Sequence, residues 1–191
     1  MSSVAISPVR VLKRSDVKRT DVVSGFGRTR KKAGFSPTAK VVLRTATAGE
    51  SDAIHALIVE HLAEGHLLPR ERGEIAVHAH RFVVAMQGDR VVACAELAPL
   101  SRAVAEVRSL VVSRDARSGG LGRKILNDLL LRAALGGYEK LCAFTHTPAY
   151  FVRMGFSIVP HTWVPEKIWT DCSKCPQFRN CGQYALVSTL S

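Results

Sequence analysis

Residues 117–123 read Arg-Ser-Gly-Gly-Leu-Gly-Arg, directly ahead of a stretch with helical periodicity. Glycine lets the backbone approach a ligand closely, and the orphan N–H groups of a helix's first turn, with the dipole behind them, hold phosphate oxygens. Arg117, Arg123 and Lys124 would add positive charge to such a site. The plainer alternative is a helix that begins after a glycine turn and binds nothing. Two other phosphate loops do not fit. The Rossmann G-x-G-x-x-G fails at its last glycine, where Lys124-Ile125 stand, and the Gly-Lys-Ser/Thr of a P-loop is missing.

Thiols and imidazoles are the other reactive groups. Cys172, Cys175 and Cys181 have the spacing C-x2-C-x5-C. They could supply three zinc ligands, with His161 or Asp171 as a fourth, or form a redox-labile disulfide. With a single C-x-x-C pair, packing in a structural element is preferred and no metal is assigned. Cys142 lies in the apolar stretch KLCAFT and reads as a packed core thiol. His55, His61 and His66 fall on or beside a helix and are expected at the surface; His78 and His80 flank a strand and receive no role.

The elements that must position these groups follow from periodicity and turn residues. Val41–Ala46 reads as a strand, Thr47 and Ser51 as a cap region, and Asp52–Ala63 as a helix with Ile54, Leu57, Ile58 and Leu62 at helical spacing and Gly65 as its stop. A loop over 66–72 leads to a short second helix. Strands Arg81–Met86 and Val91–Leu97 form a hairpin across Gln87-Gly88-Asp89, and Ala103–Ser113 is a further strand feeding the glycine turn. The helix Gly120–Leu135 carries one broad apolar stripe and ends at Gly136-Gly137. Strand Lys140–Thr145, a short helix Pro148–Met154 and strands at Phe156–Val159 and Tyr184–Val187 complete the reading.

The chain has 191 residues, 47% hydrophobic and 23% charged, the composition of one globular domain able to bury a core. No run of about 18 apolar residues exists and MSSVAISPVRVL lacks a secretory apolar region, so a membrane span and export are disfavoured and the cytoplasm is expected. The net charge is +11, but residues 1–40 hold ten Lys/Arg against Asp16 and Asp21, a net +8 that leaves +3 for the rest. Residues 1–39 therefore read as a basic, disordered tail and 40–191 as the folded domain. Nucleic acid is not the expected partner, since that tail offers only Phe26 and Phe35 as aromatics.

Arg117, Gly120 and Gly122, between a strand containing RSLVV and a helix, resemble the R/Q-x-x-G-x-G/A signature of the GNAT acetyltransferase superfamily. The segment Tyr150-Phe-Val-Arg-Met-Gly155-Phe156 is similar to that family's helix-to-strand GF segment. Leu67-Leu-Pro-Arg70, Pro165-Glu-Lys-Ile-Trp-Thr-Asp-Cys172 and the cysteine spacing look like the short, single-domain amino-acid N-acetyltransferases, N-acetylglutamate synthases without an amino-acid-kinase domain.

The resemblance implies an α/β (α+β) GNAT fold, a mixed, mostly antiparallel sheet of about six to seven strands flanked by about four helices. It implies acetyl-CoA as the donor, gripped at its diphosphate by Arg117, Ser118, Gly119, Gly120, Leu121, Gly122 and Arg123. The pantetheine arm would lie like an extra strand along Leu110, Val111 and Val112, with the backbone N–H of Leu110 at the thioester oxygen. No covalent enzyme intermediate is needed. An attacking α-amine must lose a proton, and Glu106 is the first candidate base, Glu96 the second. On a strand Glu106, Arg108, Leu110 and Val112 share one face. Arg70, Arg108 and Lys167 are the candidate partners for the carboxylates of glutamate, with Arg able to grip bidentately. Many relatives use a Tyr as general acid four residues before the glycine of GF; here Phe151 stands there, beside Tyr150, and the acid role is not carried over.

The product implied is N-acetylglutamate, the first intermediate of arginine biosynthesis. Glutamine, or another amine such as a protein lysine or N-terminus, is the alternative acceptor, and a homodimer is compatible with either.

Overall fold

Strands rich in Val and Ala, buried on both sides, form the centre of the protein. The computed structural model describes residues 40–65 and 67–190, so the basic segment 1–39 and His66 lie outside the described residues. Seven strands, β1 (Val41–Thr45), β2 (Phe82–Gln87), β3 (Arg90–Pro99), β4 (Val104–Val112), β5 (Lys140–Thr145), β6 (Ser157–Val159) and β7 (Tyr184–Thr189), make one sheet in the order β1-β2-β3-β4-β5-β7-β6. Every neighbouring pair is antiparallel except β4 with β5.

Among the described residues five α-helices flank the sheet: α1 (Ser51–His61), α2 (Arg72–Val77), α3 (Leu121–Leu135), α4 (Ala149–Arg153) and α5 (Pro165–Thr170). The stripe Leu121, Ile125, Leu126, Leu129 and Ala133 seats α3 on Val83, Ala85, Ala93, Ala95, Ala105 and Val107. The opposite face takes α1 and α2, whose Ile54, Leu57, Ile58 and Ile75 pack on Phe82, Val84, Cys94 and Val111. Each fully buried isoleucine is worth roughly 1.5–3 kcal/mol. As expected from the glycine stop, Gly65 takes the left-handed conformation (φ 76°) that ends the turn after α1. The helix α5 has no counterpart in the sequence reading. It is six residues long, started by Pro165 and anchored by buried Val164, too short to display a helical period.

Two irregularities in β4 create the space for a site. Cys94 pairs with Val111 and Glu96 with Arg108, so two steps along β3 match three along β4. The additional residue is Ser109, whose φ of 52° is left-handed although it is not glycine. The alternation is thereby inverted, and this corrects the expectation of one shared face. Glu106, Arg108 and Val111 lie on the side of Glu96 and Cys94, while Leu110 and Val112 pack with Ala105 and Val107 on the α3 side. The second irregularity is the parting of β4 from β5. Their parallel register runs only from Val104 opposite Lys140 to Glu106 opposite Cys142. Beyond that point, among the described residues, β4 is paired on its β3 side alone.

A left-handed residue with a Cβ is strained by about 1–2 kcal/mol, and β-branching aggravates the strain. Ser109→Gly is therefore expected to retain stability in urea unfolding to within about 1 kcal/mol, whereas Ser109→Val is expected to lose about 2 kcal/mol or more. Equal stabilities of the two variants would contradict the bulge.

Candidate active site

The end of β4, the turn after it and the first turn of α3 border an open cleft of about 830 Å³. Leu110, Val111 and Val112 line one side; Arg117, Ser118, Gly120, Leu121, Gly122 and Arg123 line its end. Of the run 117–123 only Gly119 is not in the lining. Gly120 is the N-cap of α3 with φ 71°, and Ser118 also has a positive φ of 76°. The chain thus enters the helix through a tight turn, and the first N–H groups of α3 have no intrahelical acceptors. A Cβ on Gly122 would stand 3.1 Å from the Tyr150 hydroxyl, so this glycine keeps the space beside Tyr150 open.

The cleft also contains groups to which the sequence reading gave no role. Tyr150 faces it while Phe151 packs in the core, which is why the position four before Gly155 holds no hydroxyl. Burial raises the Tyr150 pKa, against the opposing pull of Arg123 and Arg153, so the phenol stays protonated at neutral pH. The Tyr150 hydroxyl has no hydrogen-bond partner among the described residues. Glu64 accepts from Arg117 at 2.7 Å and from Arg114 at 3.0 Å, tying the end of α1 to the turn. Those two guanidinium groups hold its carboxyl down to about 2. Its folded pKa being depressed, the tie is intact above the ordinary carboxylate range and is lost as pH falls toward about 2. His61, expected at the surface, is buried and lines the same cleft; its polar ring gave no sign that α1 turns this face inward.

A second, smaller cleft of about 290 Å³ adjoins the first, with Leu67 in the lining of both. Arg70, Glu106, Arg108 and Lys167, picked out separately along the sequence, meet here. Glu106, 3% exposed, accepts from Arg108 Nε at 2.6 Å and from Lys167 Nζ at 2.7 Å. Asp171, one turn along α5 from Lys167, receives Lys167 Nζ at 2.7 Å and also pairs with Arg108. Arg70 is bonded to Glu96 and Glu74, at 2.8 Å each, and to Ser109 Oγ at 3.3 Å. Its guanidinium loses solvation on burial, but Glu96 and Glu74 outweigh that loss and raise its pKa. Burial acts likewise on Arg108, outweighed by Glu106 and Asp171. Glu96, directly opposite Arg108 across β3 and β4, is held by Arg70.

Cys142 lies beside this pocket, yet burial first and Glu106 second push its pKa far above the ordinary thiol range, so it remains a thiol. Cys172, Cys175 and Cys181 are free thiols, and among the described residues no cluster of three His, Cys, Asp or Glu could hold a metal ion. No described helix is long and apolar enough to cross a membrane.

Residues 78–158 match the acetyltransferase (GNAT) domain family. An uncharacterized N-acetyltransferase of Chlorobaculum tepidum is 30% identical over 154 residues, covering 81% of this chain and 99% of that protein. An amino-acid acetyltransferase of Neisseria meningitidis is 30% identical over 145 residues, 75% of this chain. The chain spans only 32% of that longer relative. Among solved structures, N-acetylglutamate synthase from Neisseria gonorrhoeae complexed with coenzyme A and N-acetyl-glutamate superposes with a TM-score of 0.71 at 26% identity, over 82% of this chain and 36% of that one.

Gly122 separates cleft shape from stability. Gly122→Val is expected to leave the melting temperature within a few degrees while reducing coenzyme A affinity at least roughly tenfold in calorimetry, because its branches enter the space beside Tyr150. Gly122→Ala, which needs a shift of only a few tenths of an ångström, is expected to bind within about threefold of the parent.

Proposed function

The chain belongs to the GNAT acetyltransferase family, with acetyl-CoA as its donor, and on that premise we propose that it acetylates the α-amine of L-glutamate. The reading makes it an N-acetylglutamate synthase acting at the first step of arginine biosynthesis. The observation that carries it is the small cleft itself. Three cations and a buried carboxylate from three separate segments, the loop at Arg70, β4 and α5, converge in one cleft that shares Leu67 with the larger one. The amino-acid acetyltransferase and N-acetylglutamate synthase relatives support the same acceptor class.

Acetyl-CoA supplies the acyl group and departs as the free thiol. The turn 117–123 and the α3 N-terminus hold the diphosphate end. The unpaired side of β4 along Leu110, Val111 and Val112 aligns the arm, and the Leu110 N–H stabilises the charge that develops on the acyl oxygen. Arg70, Arg108 and Lys167 take the carboxylates of the amino acid. In the free protein those cations are occupied by Glu74, Glu96, Glu106 and Asp171. Binding of a zwitterion exchanges partners: a substrate carboxylate takes Arg108 and Lys167, and Glu106, released from them, faces the α-ammonium and accepts its proton directly or through water. No protein acid is assigned to the leaving sulfur, and the thiolate takes its proton from solvent.

One observation favours a second acceptor. The three cations are outnumbered by four carboxylates, a formal charge of −1, which opposes a second negative charge on the substrate and suits glutamine. A thiol-release assay with acetyl-CoA across the twenty amino acids decides between them. Highest turnover with glutamate or glutamine is expected, and equal rates with lysine peptides would contradict both. Arg70→Lys keeps the charge opposite Glu96 but loses the planar fork. It should raise the acceptor KM roughly tenfold or more and leave the acetyl-CoA KM within about twofold. Glu106→Gln should instead lower kcat by at least about a hundredfold. An unchanged acceptor KM in Arg70→Lys would remove Arg70 from the pocket.

A further inference from the structure

One wall of the larger cleft carries a group that the transfer described above leaves without a task. His61 is the last residue of α1, only 1% exposed, and lines the cleft with Leu67, Leu110 and Val111. Its Nδ1 lies 2.8 Å from the backbone carbonyl oxygen of Leu57, one turn earlier. A carbonyl can only accept, so Nδ1 carries a proton, and when the ring holds that one proton Nε2 presents a lone pair. That Nε2 is buried and has no hydrogen-bond partner among the described residues. A buried acceptor left unpaired is unfavourable, and the Leu57 contact prevents the ring from exchanging its two nitrogens without losing a bond.

The chemistry of the donor restricts what can satisfy this lone pair. Phosphate oxygens and the thioester oxygen are acceptors and cannot. The adenine amino group lies beyond the diphosphate, whose end of the cleft is marked by Gly120 and Gly122. Between diphosphate and sulfur, the only donors are the amide N–H groups and the hydroxyl of the pantetheine arm. On the α4 side Tyr150 supplies the complement, a hydroxyl that is also buried without a partner. An acceptor on α1 and a donor on α4 suit a chain of amides passing between them.

We infer that His61 is a positioning residue for acetyl-CoA: its Nε2 accepts a hydrogen bond from an N–H or O–H of the pantetheine arm and so fixes how far the thioester advances along β4. The inference rests on the coenzyme A reading of the larger cleft and is independent of which amine is acetylated.

The test is calorimetric titration of coenzyme A, and separately of adenosine 3′,5′-bisphosphate, which lacks the arm, into the parent protein, His61→Gln and His61→Leu. Glutamine returns an acceptor oxygen near the Nε2 position; leucine only fills volume. His61→Leu should bind coenzyme A roughly tenfold more weakly, His61→Gln within about threefold of the parent, and all three should bind the bisphosphate alike. The acetyl-CoA KM should follow the binding constant while the acceptor KM stays within about twofold. In the parent protein the His61 Nε2 resonance should shift when coenzyme A is added and remain unmoved by the bisphosphate, a readout that needs no variant to fold. Equal coenzyme A affinity in all three proteins overturns the assignment and leaves the cleft reading intact. An equal loss toward the bisphosphate also overturns it, by making His61 a support for the nucleotide end. A large fall in kcat with unchanged coenzyme A affinity overturns it in favour of a proton-accepting role. A parent protein that takes up no coenzyme A removes the cleft reading itself.

Discussion

A strand can pair on both edges or expose one edge to a ligand, and the working geometry of this protein depends on β4 doing each in turn. Over Val104–Glu106 it is hydrogen-bonded between β3 and β5, which fixes its position in the sheet. Past Glu106, among the described residues, no strand pairs with its β5 side, which leaves backbone groups for an extended ligand, apart from the Val112 carbonyl, which accepts from Arg117 Nε at 3.1 Å. Ser109, the additional residue, then rotates the remainder of the strand by one face. Without that step Leu110 and Val112 would occupy the polar side with Glu106 and Arg108. With it they pack toward α3, and the acidic and basic side chains collect in a separate pocket on the other side. A single residue of register thus divides one strand between the larger and the smaller cleft.

The smaller cleft follows a related rule. Buried charges are tolerated only when paired, and here each cation is held by carboxylates of the same pocket. Such a network keeps the long side chains of Arg70, Arg108 and Lys167 in place before substrate arrives, which reduces the entropy lost on binding. It also sets a threshold. A ligand must offer both signs of charge to exchange partners with the network, because a lone carboxylate would strand Glu106 or Glu96 without a cation. Zwitterionic amino acids meet that condition and simple carboxylic acids do not.

Much of this was legible in the residues, for physical reasons that differ from element to element. The stripe on α3 repeats over fifteen residues, so its helix and buried face followed from periodicity, and the glycine turn before it carried its own signal. Arg70 and Lys167 were visible through the family-like segments that hold them, and Glu106 and Arg108 through charge on an apolar strand, yet nothing local indicated that they meet. That depends on α5, whose six residues show no period, and on a loop returning from α1. The inversion at Ser109 was unreadable: serine is an ordinary strand residue, and its left-handed conformation is imposed by pairing with β3. His61 was misassigned to the surface because helical spacing marks apolar faces, whereas a buried imidazole is recognised only through its hydrogen bonds.

The central claim is that the open side of β4 receives the acyl donor, and amide hydrogen exchange measured with and without coenzyme A tests it most directly. Slower exchange at Leu110 and Val112 on adding coenzyme A, with Val104–Glu106 and the β3-bonded Val111 already protected in its absence, is the result that the parted strands predict. Saturation of the protein with coenzyme A while exchange at Leu110 and Val112 stays unchanged would contradict the claim, since the ligand would then be bound somewhere other than along this strand.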